Sequence, residues 1–255
     1  MSSFYATISR YYDSEHYDKE EDLPFYSDIA PEEGCKVLVI GSGTGRLALY
    51  LAEAGHTVHG IEIEKAMLDR AIAKRDAIGM QTDGLYFHSG DALTYPLSET
   101  FNLAIIPYNT FMHFLDQESQ MKLLKRLRKW LNNGGDGRLV IDLPNAGEAF
   151  GSQDTDSVIL ERTFLEQETG HLVMQQSVSR LDRAEQVMEV TWFYDEITDD
   201  GTLKRTIVPV TVRYFFAAEI TLLLQAAGFQ IEAIYGDFDQ SPFEDGCPRM
   251  IVVAR

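Results

Sequence analysis

The chain has 255 residues, 45% of them hydrophobic, enough for one large domain or a domain with an insert around a full core. A formal net charge of −18 and a pI near 4.6 argue against a nucleic-acid substrate, because an acidic surface repels phosphate backbones. Two cysteines, Cys35 and Cys247, do not make a disulfide scaffold, and no apolar stretch is long enough to span a membrane.

The first thirty residues place Phe4, Tyr5, Tyr11, Tyr12, Tyr17, Phe25 and Tyr26 among many acids. Aromatics this dense are expected to fold over something. Asp22 is expected to cap a short helix starting near Leu23-Pro24. No basic segment followed by an apolar run opens the chain, so no signal peptide is read and a cytoplasmic protein is the default.

Val37-Leu38-Val39-Ile40 is a β-branched run that enters the turn Gly41-Ser42-Gly43-Thr44-Gly45. An apolar helix leaves the turn, and a second apolar run ends on Glu62. This is a βαβ unit for a nucleotide-like ligand, in which glycines admit the backbone close to the ligand and a helix start offers free N–H groups. A dinucleotide fold requires glycine at position 46, where this chain has Arg46. Glu62, at the tip of the second strand, suits both hydroxyls of a ribose.

A helix over 64–78 follows, with Met67, Leu68, Ala71, Ile72 and Ile78 as its buried stripe. A third strand over 85–88 leads into Ser89-Gly90-Asp91-Ala92, where Asp91 is either an acceptor for a base or the cap of a turn. A fourth strand ends at Pro107, and the loop Tyr108-Asn109-Thr110-Phe111-Met112-His113 lies where such sheets carry their chemistry. Asp116 caps the next helix, which faces inward with Met121, Leu124, Leu127 and Leu131 and ends at Asn132-Asn133-Gly134-Gly135. Lys122, Lys125, Arg126, Arg128 and Lys129 are read as its solvated face. A fifth strand spans 138–143.

The periodicity then changes. Four alternating runs, at 158–164, 171–181, 187–197 and 203–213, predict an antiparallel sheet inserted into the core, with Glu161, Arg162, Arg180 and Arg183 facing solvent. A helix over 217–227 and an antiparallel pair over 229–235 and 249–254 close the chain. The fold class is α/β: a doubly wound, mostly parallel seven-stranded sheet with a C-terminal antiparallel hairpin and an inserted antiparallel sheet. The expected divisions are a lid segment and core over 1–150, the insert over 151–213, and the rest of the core over 214–255.

The stretch 41–45 with Glu62 resembles motif I and the following acidic motif of the class I (Rossmann-like) S-adenosylmethionine (SAM)-dependent methyltransferases. The inserted sheet and Tyr-rich N-terminus are most similar to the small-molecule group, including amino-sugar N-methyltransferases. The resemblance implies SAM as cofactor, with its methionine end at the glycine turn, its ribose on Glu62 and its adenine beside Gly90, Asp91 and Ala92. It also implies a tyrosine of Arg10-Tyr11-Tyr12-Asp13 at the methionine end and the substrate; the alternative is that these aromatics only pack on the core. The expected cofactor-binding set is Tyr11, Gly41, Ser42, Gly43, Gly45, Glu62, Ile63, Met67, Gly90, Asp91, Ala92, Pro107 and Tyr108. Two positions depart from the family pattern: Val39, where many members carry an acid, and Asn102, where Phe-Asp is common.

Methyl transfer needs alignment of nucleophile, methyl and sulfur, exclusion of water, and a base for the departing proton. His113 is the candidate base and Tyr12 the second candidate catalytic residue; a packing or capping role is the alternative for His113. The remaining histidines have no metal-ligand spacing, and no metal is expected. The expected function is methyl transfer to N or O of a small molecule, with a non-catalytic SAM- or nucleotide-binding protein as the alternative. Nucleic acid and membrane are not expected partners, and a homodimer through the inserted sheet is a possible assembly.

Overall fold

The computed structural model describes residues 4–30, 32–79, 84–131, 136–149 and 155–255. The expected helix end at 132–135 lies outside them. Two helices open the chain, α1 (Phe4–Glu15) and α2 (Leu23–Ile29). The core then alternates β1 (Lys36–Ile40), α3 (Arg46–Glu53), β2 (Thr57–Glu62), α4 (Lys65–Ala77) and β3 (Leu85–Ser89). It continues with β4 (Leu103–Ile106), a 3-10 turn at Thr110–His113, α5 (Gln117–Trp130), β5 (Arg138–Pro144) and α6 (Ala146–Ala149). Strands β6 (Thr155–Leu165), β7 (Leu172–Asp182), β8 (Val187–Ile197) and β9 (Leu203–Arg213) follow as one unit. Helix α7 (Ala217–Ala226), β10 (Ile231–Tyr235) and β11 (Arg249–Ala254) end the chain.

The seven-stranded sheet has the order β10-β11-β5-β4-β1-β2-β3, parallel except where β11 pairs antiparallel with β5 and β10. Because β1 is followed to one side by β2 and to the other by β4, the strand order reverses between β1 and β4. The carboxyl ends of those strands therefore flank a cleft. The middles of these strands are apolar because helices cover both faces: Val37, Leu38, Val39, Leu103, Ala104 and Ile105 are entirely buried. The four-stranded sheet is antiparallel in the order β6-β7-β8-β9. Its inner face, with Val173, Tyr194 and Val208, packs with Ile8 and Tyr11 of α1 in a core of its own.

Several local expectations are corrected. Asp22 precedes α2 but makes no side-chain cap; its carboxylate instead takes two 2.6 Å hydrogen bonds from the Arg46 guanidinium. Ile78 lies past the end of α4 and is half exposed. Two of the five basic residues on α5 are not a solvated face. Arg126 donates to the carbonyls of Ala92 and Tyr95 and covers the Trp130 ring, and Arg128 donates to the carbonyl of Gly228. Asp116 caps α5 through Ser119 N–H at 2.7 Å. Asn102 ties β4 to β1, its Oδ1 accepting from Lys36 N at 2.9 Å.

Candidate active site

The glycine loop is shaped by what surrounds it. Gly41, Gly43 and Gly45 all have positive φ. A β-carbon on Gly41 would stand 2.5 Å from Thr110 Cγ2, so glycine lets the loop pass directly under the 3-10 turn after β4. Ser42 does not face the cleft. Its side chain packs against Gly60, and its buried hydroxyl has no partner among the described residues.

Glu62 braces the loop. Its Oε2 accepts from Gly43 N at 2.8 Å and its Oε1 from Glu64 N at 2.8 Å. Each oxygen keeps acceptor capacity, as a pair of ribose hydroxyls requires. Burial pushes the Glu62 carboxyl above the ordinary value, against the lowering effect of those N–H groups. Met67 lies buried beside Gly43, and the neighbouring Ile63 is 69% exposed. At the β3 end, Asp91 Oδ1 takes the N–H of Leu93 at 2.8 Å in a tight turn. Gly90 lies under the Tyr95 ring, and Ala92 is buried.

On the other side of β1, the chain after β4 turns through Pro107, which is buried, then Tyr108 (φ +42°) and Asn109 (φ +66°). A polar aromatic cluster hangs from this turn and from α1. Tyr5 Oη meets His113 Nε2 at 2.8 Å, and His16 Nε2 meets Tyr108 Oη at 3.1 Å. The Tyr12 ring lies between, 6.2 Å from Tyr5 and 4.5 Å from His16. Burial lowers the His113 and His16 imidazoles and raises the phenols of Tyr5 and Tyr12; nearby Glu62 raises Tyr5 further. At neutral pH the phenols therefore stay protonated and His113 is neutral.

Helix α1 is fixed over this cleft from both sides. Asp13 Oδ1 accepts 2.6 Å bonds from Thr44 Oγ1, in the glycine loop, and from Lys74 Nζ. Arg10 reaches Glu166 and Glu196 of the inserted-sheet unit. Tyr11 corrects an expectation. It turns away from the glycine loop, stacks on Tyr194 at 5.1 Å and donates to Glu196 at 3.1 Å. On a helix, adjacent residues point about 100° apart, so Tyr11 and Tyr12 cannot share one target.

Four features escaped the sequence. They are the Tyr5–His113 pair, His16 as the partner of Tyr108, Asp13 as a clamp on the loop, and a buried ion pair of Asp142 and Arg249 behind Tyr108. Only the aromatic density of the N-terminus hinted at them; the pairings span 31 to 108 residues and have no spacing signature.

The sequence profile of a family described as "Methyltransferase domain" matches residues 37–135. A Cypemycin N-terminal methyltransferase from Streptomyces sp. is 25% identical over 235 residues, 91% of this chain and 87% of that protein. Several other curated methyltransferases match over only about half of their own length. Among solved structures, an S-adenosylmethionine-dependent methyltransferase from Clostridium acetobutylicum superposes with a TM-score of 0.80 at 15% identity, covering 99% of each chain. SAM-bound CalS10, an amino pentose methyltransferase from Micromonospora echinaspora, superposes with a TM-score of 0.67 at 20% identity, covering 94% of this chain and 93% of that one. The braced glycine loop, the sheet order and these likenesses agree: residues 37–135 match the methyltransferase domain, within the fold of the S-adenosylmethionine-dependent methyltransferases.

Proposed function

We propose that this protein methylates a nitrogen or oxygen of a small molecule, with His113 as the base. The observation that carries this reading is the position of the Tyr5–His113 hydrogen bond, on the turn that crosses directly over the glycine loop. The 41–45 loop, Glu62, Met67, Asp91 and Tyr108 would hold the cofactor, with Ser42 contributing backbone only. Tyr11, pointed into the inserted sheet, is left out of this set. When bound, SAM supplies a methyl group already activated by its sulfonium.

The chain's own residues then have three tasks. Tyr5, Tyr12 and Tyr108 present aromatic faces that favour a cation, and their hydroxyls stay protonated. Helix α1 and the inserted sheet exclude water from the cleft. His113, neutral through burial, accepts the nucleophile's proton at Nε2, the atom that Tyr5 occupies in the free protein. The sugar N-methyltransferase and the amino pentose methyltransferase among the structural neighbours are consistent with a small substrate, and the strongly acidic composition disfavours a nucleic acid.

The test is calorimetric titration with SAM, S-adenosylhomocysteine and NAD. The two sulfur ligands are expected to bind and NAD is not. Glu62→Ala should weaken S-adenosylhomocysteine binding by about 2–3 kcal/mol, through the loss of charge-assisted hydrogen bonds. Unchanged affinity in that variant would remove Glu62 from the ribose. Binding without turnover over a panel of amines and hydroxylated metabolites would favour a non-catalytic role.

A further inference from the structure

We infer that Asp142 and Arg249 are positioning residues that hold the Tyr108 side of the cofactor site in its strained shape. Asp142 lies within β5 and is wholly buried. Its Oδ2 accepts from Tyr26 Oη at 3.1 Å and from Tyr108 N at 3.0 Å. Its Oδ1 accepts from Arg249 Nε at 2.9 Å and from Arg249 Nη2. Its backbone carbonyl accepts from Asn109 N at 3.1 Å. Arg249, on β11, closes the ring by donating from Nη2 to Asn109 Oδ1 at 2.9 Å.

These bonds converge on two adjacent residues among the four non-glycine positions with positive φ in the described chain. Tyr108 and Asn109 both have left-handed φ, which crowds Cβ against the backbone in any residue but glycine. Such a conformation persists only where the surroundings over-determine it. Here a carboxylate takes the Tyr108 N–H, a carbonyl takes the Asn109 N–H, and a guanidinium takes the Asn109 side chain. The product is the placement of the Tyr108 phenol, which meets His16; His16 Nδ1 in turn meets the Tyr12 carbonyl at 2.9 Å. The terminal hairpin thereby fixes one wall of the cleft without reaching into it.

The wall belongs to one end of the ligand. Tyr108 follows β4, and the Asp91 turn follows β3, on the far side of β1 and β2. With Asp91 at the adenine, Tyr108 lies at the methionine end. This last step rests on the proposed cofactor site.

The test uses Asp142→Asn, a near-isosteric change that sets an amide N–H₂ or a neutral oxygen against Arg249. Two readouts are taken on folded protein. The first needs no ligand: the His16 ring resonances, assigned by comparison with His16→Gln, should move as Tyr108 is released. The second is binding of S-adenosylhomocysteine, which should weaken roughly tenfold, beside 5′-methylthioadenosine, which lacks the amino-acid end and should hold within about twofold. Wild-type His16 signals in folded Asp142→Asn protein overturn the proposal whatever the ligands do. An equal loss for both ligands also overturns it, because it marks general disruption. If the wild type binds neither ligand, the cofactor placement fails while the resonance arm still decides the positioning role. Should Asp142→Asn not fold, Asn109→Gly, which removes the second acceptor of Arg249 at a φ that glycine accepts, must give the same pattern.

Discussion

A single methyl group separates glycine from alanine, and the loop after β1 predicts two different costs for it. At Gly41, with φ +68°, the new carbon would meet Thr110 Cγ2 at 2.5 Å and Oγ1 at 2.9 Å. Backbone strain and overpacking add, so Gly41→Ala should lose about 2–4 kcal/mol in urea unfolding and lose S-adenosylhomocysteine binding. At Gly43, with φ +56°, the nearest atom is Met67 Cε at 3.8 Å. Only the backbone term remains, so Gly43→Ala should cost about 1–2 kcal/mol. Equal losses at the two positions would mean that Thr110 moves aside and the crossing is not tight. The same scale separates the paired tyrosines. Tyr11→Phe removes a bond to Glu196 and should lower stability by about 1 kcal/mol, with cofactor binding intact.

At the scale of elements, the N-terminal segment is joined to the core by the apolar face of α2, with Leu23, Phe25, Tyr26 and Ile29, and by buried charges. Asp22 is wholly buried and holds Arg46, the first residue of α3, through two bonds. Asp22→Ala leaves that guanidinium with only the Lys19 carbonyl, and should cost about 3 kcal/mol. Limited proteolysis should then cut between α1 and α2 before it cuts the core; unchanged cleavage would show that Asp13, Arg10 and the apolar packing of α1 and α2 hold the segment without this pair. These links also mark the limit of what the sequence discloses. Strand and helix positions were legible because their periodicity is local: the four insert strands fall within a few residues of the four alternating runs, and β8 and β9 coincide with theirs. The glycine turn and Glu62 were legible because their chemistry sits within twenty-odd residues. Asp22 was misread because cap propensity is a local rule, while its partner lies 24 residues away. Tyr11 and Tyr12 read alike because adjacent residues carry no mark of which way a helix will be turned. Distant contacts fix that rotation, among them those of Arg10 with Glu166 and Glu196, 156 and 186 residues away.

For the whole molecule, the balance of buried titratable groups predicts how stability depends on pH. Burial lowers four imidazoles, His16, His59, His88 and His113, below their ordinary value of 6.5. His59 and His88 also face each other at 3.0 Å. In the unfolded chain these groups take up protons near pH 6.5, while in the folded protein they resist until lower pH. The unfolded state therefore binds more protons below pH 6.5, and folding stability falls as the pH drops from about 6.5 through the lowered values. Each group contributes up to about 1.4 kcal/mol per pH unit in that window. Glu62 works in the opposite sense, because its raised carboxyl favours folding as it protonates, but it is one group against four. The carboxylates held low, such as Glu166 and Glu196, stabilise the fold above their ordinary 4.5 and lose that effect only at lower pH. The melting temperature should thus be level from pH 8 to 7 and fall steadily between pH 6.5 and 5. His113→Gln should make that fall shallower. A flat profile over the same range would mean that these histidines protonate freely in the folded protein, and the reading of His113 as a neutral, water-shielded base would fail with it.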